Sequence, residues 1–225
     1  MMPMNPRIVV IIPAFNAAAY LPELIERING QVSAAELIII NDGSSDNTAE
    51  VIKTLGCPYI AFPDNRGKGA ALKAGFTHAI NNKYDAVITI DADLQHRPEH
   101  LPLFYSHFDQ ADLLIGTRAI NQRIMPLERR LTNNLTSLII SIFGSLRIRD
   151  SQSGYRLIKT AVLRRLCLTS VRYDTESEML FQSGYLGFSA GEVPIATVYA
   201  GSRSFINPLK DTTRFIRQIW RRLWY

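Results

Sequence analysis

An α/β domain built on a mostly parallel sheet is the fold this sequence predicts, and three observations predict it. Short runs rich in β-branched residues are apolar throughout, as strands buried on both faces are. Segments of helical spacing separate these runs, which is the pattern of a parallel sheet covered by helices. Each run ends in a polar cluster, and sheets of this kind bind ligands beyond the carboxyl ends of their strands.

The elements follow in order. Residues 7–12 read as the first strand, closed by Pro13. Residues 20–28 have helical spacing. Residues 36–40 form a second strand, closed by "NDGSSDNT". A helix over 47–55 follows, with Ser45, Asp46 or Asn47 as its cap. Residues 59–62 give a third strand and 68–82 an alanine-rich helix. Residues 86–90 are the fourth strand, and 112–115 the fifth, ended by "GTR". The stretch 122–148 is mixed apolar and basic and reads as one or two helices. "RDSQSGYRLIKTAVL" reads as a loop, a strand and a helix start. A helix over 176–187 and a late strand over 190–199 complete a single domain, residues 1–206. Residues 207–225 are expected to form a basic amphipathic C-terminal helix.

Composition excludes several classes. Apolar residues make up 47% and charged residues 20% of the 225-residue chain, which allows a sizeable core and argues against disorder. Cys57 and Cys167 have no metal-ligand spacing, so a reducing compartment is the simplest reading. The longest apolar candidate, 135–146, contains serine and glycine. It falls short of the roughly 18 residues of a membrane span. The apolar run at the N-terminus is too short for a secretory signal. The net charge is +5, and residues 201–225 hold six basic residues and one acid, so the tail carries all of it. In that tail Phe215, Ile216, Ile219, Trp220, Leu223 and Trp224 fall on one helical stripe beside arginines. Aromatic and basic residues together suit an anionic membrane surface. A final helix packed on the domain is the alternative. The tryptophans lie on one face rather than interleaving as base-stacking aromatics, so no nucleic-acid partner is expected. The expected location is cytoplasmic, peripheral at the inner face of a membrane.

The chemistry concentrates in "ITIDADLQH". Residues i and i+2 of an extended chain point to the same side, so Asp91 and Asp93 can converge. Two close carboxylates repel, and one takes up a proton unless a cation sits nearby. Mg²⁺ or Mn²⁺ would remove that conflict, and the carboxamide of Gln95 could add a third oxygen. A simple turn is the alternative for so short a motif.

"IIPAFNAAAYLPELI", "IIINDGSSDNTAEVI", "NRGKGAALKAGF" and "ITIDADLQHRPE" occur in this order, followed by "DSQSGYRLI", "ESEML" and "GEVPI". With these motifs the chain resembles the family 2 glycosyltransferases of GT-A (Rossmann-like) fold. Within them it resembles the branch of dolichyl-phosphate mannose synthases and bacterial polyprenyl-phosphate sugar synthases, over about residues 7–210. The resemblance implies a metal-dependent inverting enzyme that moves a sugar from a UDP- or GDP-linked donor to a polyprenyl phosphate. It implies that Pro13, Phe15 and Asp42 line the base and ribose pocket, and that Asp91, Ala92 and Asp93 contact the nucleotide sugar. Asp93 and Gln95 would hold Mg²⁺ or Mn²⁺. Arg118 would sit near the sugar phosphates or the acceptor phosphate, and Arg203 would grip the diphosphate. Ala17 stands where the branch often has glutamate, and Thr197 aligns with a basic diphosphate ligand, which leaves the donor base open.

Other candidates remain open. "RGKG" over Arg66–Gly69 lacks the spacing of a nucleoside-triphosphate loop and reads as a helix start and pocket wall. Asp150 either orders the acceptor loop or starts a turn. Glu178 lies near the acceptor or, with Glu176, on a solvated helix face. The four histidines read as solvent or turn positions. A phosphate acceptor is already an anion and needs no strong base. A sugar-hydroxyl acceptor, as in cell-surface polysaccharide synthesis, would need one, with Asp150 or Glu178 as first candidates. A non-catalytic nucleotide-binding module is the rival of another class. A nucleotidyltransferase would want a glycine-rich first loop with an arginine, which "PAFNAAAY" lacks.

Overall fold

Seven strands make one sheet in the computed structural model, in the order β3-β2-β1-β4-β6-β5-β7. The structure describes residues 6–31, 36–118, 137–138, 140–141, 146, 148–172 and 174–196. β1 (Ile8–Ala14), β2 (Leu37–Asn41), β3 (Tyr59–Ala61) and β4 (Ala86–Thr89) are mutually parallel. β5 (Leu113–Arg118) and β7 (Ala190–Ile195) are parallel to each other, and β6 (Arg156–Lys159) runs antiparallel between β4 and β5.

The period-2 rule of a strand distributes the apolar side chains between two layers. Ile8, Val10 and Ile12 join α1 (Leu21–Asn29) and α2 (Thr48–Leu55) on one face. Val9 and Ile11 join α3 (Lys68–Asn81), α5 (Thr160–Leu163) and α6 (Asp174–Tyr185) on the other. Both faces being covered explains why β1 and β2 read as unbroken apolar runs. α1 presents Leu21, Leu24, Ile25 and Ile28 to the core, a spacing of three and four that makes one stripe.

Several boundaries differ from the sequence expectation, each for a packing reason. β5 continues through "GTR", because Gly116, Thr117 and Arg118 pair with Val193, Pro194 and Ile195. β6 interrupts the parallel order. It starts from the loop at the edge where β5 ends, and so must run back across the sheet. A helix the sequence reading does not name, α4 (Leu101–Ser106), follows a short 3₁₀ turn and is fixed by buried Leu101 and Phe104. The N-cap position of α2 is Asn47, which makes no side-chain cap hydrogen bond; Asp46 just before it accepts the Thr48 N–H at Oδ1, 3.0 Å. α6 begins at Asp174, and its residues 174–183 are all buried. That corrects the solvated-face reading of Glu176 and Glu178. His96 is also buried, 4% exposed against the Tyr155 ring, not at a solvent position.

Most of the helices expected within 122–148, the end of the last strand beyond 196, Thr197, Arg203 and the helix over 207–225 lie outside the described residues.

Candidate functional site

The topology brings the polar strand ends together. β1, β2 and β4 are parallel, and β5 runs the same way because both it and β4 oppose β6. Their carboxyl ends therefore share one sheet edge, carrying Phe15, Asp42, the Asp91–Gln95 turn and the backbone of Arg118. The chain enters β6 from the same edge through the 148–155 loop.

Asp91 is held on two sides. Its Oδ1 lies 2.5 Å from the Lys68 ammonium, which also contacts Glu176 Oε1 at 3.0 Å. Its carboxylate rests against the Cα of Gly154, where a Cβ would stand 2.4 Å from Oδ2 and push the carboxylate aside. Gly154 is fixed in turn, since its carbonyl accepts the Thr89 hydroxyl at 2.8 Å. Burial would raise the Asp91 carboxyl, but the charges of Lys68, His96 and Arg156 and the Lys68 hydrogen bond hold it below its usual range. Burial and the Asp91 charge push Asp93 the other way, above the usual range. Asp93 accepts the Gln95 N–H at 3.0 Å and has no ion-pair partner among the described residues. The two carboxylates are thus unequal: Asp91 is neutralised by the protein, while Asp93 is left where a cation could replace a proton. No three His, Cys, Asp or Glu side chains among the described residues could hold an ion together. Asp93 and Gln95 fit a cation that takes its other oxygens from phosphate and water, as Mg²⁺ commonly does.

The wall on the β2 side is built by Asp42, 3% exposed. Its two oxygens accept the N–H groups of Arg66 and Gly67 at 2.8 and 2.9 Å. The carboxylate thus staples the β2 end to the start of α3 and sets the origin of Lys68. Burial raises its pKa, against those two hydrogen bonds. The "RGKG" stretch is the helix start expected of it, with Gly67 before α3 and Lys68 its first residue. Pro13 lies within β1, paired with Ile40, and Ala92 is 8% exposed. Phe15 is 41% exposed at the mouth, beside Asn16, which has φ 51 and accepts the Ser45 N–H at 2.8 Å.

The acceptor-side candidates are buried. Asp150 is 1% exposed. Glu178 accepts the Thr169 and Ser170 N–H groups at 3.1 and 2.9 Å and the Gln182 amide at 3.0 Å, so it clamps the 167–170 turn. Glu176 points instead to Lys68, as two positions two apart on a helix should diverge. Arg156 ties these parts together. It is 1% exposed and donates to the carbonyls of Ser151, Ser153 and Glu176 at 2.6, 2.7 and 2.7 Å. The sequence names Lys68 only as part of a helix start and Glu176 only as part of a helix face, and it does not single out Gly154 or Arg156. The one local signal was a lysine opening a helix right after glycine, and the partners lie about 20 to more than 100 positions away.

The family described as Glycosyl transferase family 2 matches residues 9–167. The undecaprenyl-phosphate mannosyltransferase of Micrococcus luteus is 30% identical over 203 residues, 85% of this chain and 84% of the relative. The UDP-N-acetylglucosamine–dolichyl-phosphate N-acetylglucosaminyltransferase of Methanococcus voltae is 30% identical over 216 residues, covering 85% and 86%. Among solved structures, glucosyl-3-phosphoglycerate synthase from Mycobacterium tuberculosis, in complex with Mn²⁺, UDP and phosphoglyceric acid, superimposes with a TM-score of 0.76. It is 19% identical and is covered to 78%, against 96% of this chain. That likeness concerns the fold.

Proposed function

The chain belongs to glycosyl transferase family 2, and from that premise we propose that it transfers a sugar from a UDP- or GDP-linked donor to a polyprenyl phosphate, inverting the anomeric carbon. The observation that carries the reading is the inequality of the two carboxylates, Asp91 paired with Lys68 and Asp93, at the ligand edge, without an ion-pair partner among the described residues. The relatives named for undecaprenyl and dolichyl phosphate support the acceptor class. So does the burial of Asp150 and Glu178: neither carboxylate is exposed to serve a hydroxyl acceptor as its base.

In this reading Pro13 and Phe15 line the nucleoside pocket, and Asp42 shapes its floor. Asp93 and Gln95 hold Mg²⁺ or Mn²⁺, which supplies electrostatic stabilisation of the departing diphosphate. Arg118 at the end of β5 and Arg203 supply further positive charge where the leaving group becomes more negative. The acceptor phosphate attacks from the opposite face, already ionised, so no side chain needs to take a proton. Residues 1–206 act as the catalytic domain, and 207–225 lie on an anionic membrane surface near the lipid acceptor. No helix of the described residues is long and apolar enough to cross a membrane.

The test is transfer to undecaprenyl phosphate from a panel of UDP- and GDP-sugars, with Mn²⁺ and with chelator. A glycosylated lipid phosphate formed only with metal is expected. No transfer from any donor, or transfer untouched by chelator, would overturn the acceptor or the metal assignment respectively.

A further inference from the structure

We propose that Glu176 is a positioning residue for the donor site: acting through Lys68, it fixes the carboxylate of Asp91. The inference rests on the donor-site reading above. Lysine is a compact charge on a flexible four-carbon stem, so a single partner leaves it several ways to turn. Here the side chain is only 14% exposed, and its ammonium is shared between two carboxylates from different elements, at 2.5 Å and 3.0 Å. A buried ammonium needs such partners to offset its lost hydration. The second of them, Glu176, is itself well anchored. It lies 6% exposed in the first turn of α6, and its carbonyl accepts from Arg156 at 2.7 Å.

The consequence falls on Asp91. With Gly154 against one face of its carboxylate and Lys68 pinned at Oδ1, that side chain has little freedom left. Among the described residues Lys68 pairs with both Asp91 and Glu176, and no ion pair reaches Asp93. A helix in the second half of the chain thereby sets geometry on the donor side. The competing role, Glu176 as proton acceptor for an incoming hydroxyl, would want a carboxylate not already held by an ammonium.

Two near-isosteric variants separate these roles. Glu176→Gln keeps the length and the acceptor oxygen but loses the charge. Glu176→Asp keeps the charge but withdraws the oxygen by about 1.5 Å, one carbon–carbon bond. Calorimetry with Mn²⁺ and UDP or GDP, kcat and KM for transfer to undecaprenyl phosphate, and melting temperature are measured for each. Positioning through Lys68 predicts that Glu176→Gln, which keeps the acceptor oxygen but leaves the buried ammonium short of one charge, is the less impaired of the two variants in kcat/KM. It predicts Glu176→Asp reduced about 10- to 100-fold in kcat/KM, the scale of a misplaced group in an active site, with its melting temperature retained. The reverse order, an active Asp variant and an inactive Gln variant, overturns the proposal in favour of a working carboxylate. Two variants indistinguishable from wild type overturn it as well. Wild-type protein that binds neither nucleotide with Mn²⁺ removes the donor-site reading itself, and the proposal with it.

Discussion

At the scale of single residues the site is a question of which charge has a partner. Asp91 is paired with Lys68, and among the described residues Asp93 has no ion-pair partner. Asp93→Asn should therefore leave the melting temperature unchanged while lowering turnover by about 100-fold or more, the magnitude of losing one transition-state electrostatic contact. Near-normal turnover in a steady-state assay would reduce Asp93 to a turn residue. Asp42 behaves differently because its oxygens are used on the chain itself, at Arg66 and Gly67. Asp42→Ala leaves two N–H groups without their acceptor, at a cost of about 1–3 kcal/mol for each that stays buried. Thermal unfolding should show that loss. Donor KM should rise at the same time, since Lys68 begins where Asp42 holds the chain. A donor KM defect without any fall in melting temperature would mean the side chain meets the nucleoside directly.

At the scale of elements, α3 connects the core to the site. Its N-terminus carries Lys68, and its middle packs on β1 so closely that a Cβ at Gly75 would lie 2.6 Å from Ile11 Cγ2. Ile11 is fully buried at the centre of the sheet and cannot retreat without moving its neighbours. Gly75→Ala should therefore destabilise by about 1–3 kcal/mol, the usual cost of overpacking. For a chain of this length that corresponds to a fall of about 2–4 °C in melting temperature per kcal/mol. Calorimetric melting checks it, and an unchanged or raised melting temperature would show that α3 can shift outward freely. The antiparallel β6 is the other decisive element. It places Gly154 under Asp91 and Arg156 between the 151–153 loop and α6, so the second half of the chain completes a site begun by the first.

At the scale of the whole molecule the net charge is concentrated at one end of the sequence. The sequence puts the net +5 in residues 201–225, beyond a body whose charges balance. Each arginine near an anionic leaflet contributes about 1 kcal/mol of attraction. Removing residues 215–225 should therefore weaken sedimentation with anionic liposomes and reduce transfer to a lipid acceptor, while Mn²⁺-dependent nucleotide binding persists. Intact protein that ignores anionic liposomes at low salt would assign the stripe to the core or to a contact between copies.

The sequence by itself determined the fold class, the strand-end clusters and the Asp91–Asp93 pair, because those features are local. Strands buried on both faces must be apolar residue by residue, and a helix must repeat its apolar positions every three or four. The carboxylate pair needs only two positions of one turn. Tertiary structure alone decided that β6 runs backwards, that α6 is buried over ten residues, and that Asp42 and Glu178 serve the chain's own loops. It also decided that Asp91 meets Lys68, and Lys68 meets Glu176 across 108 positions. The physical reason is that a buried charge is stabilised by whichever opposite charge the packed layers bring within about 4 Å, and strand order and direction, set by the packing of whole elements, decide which one that is.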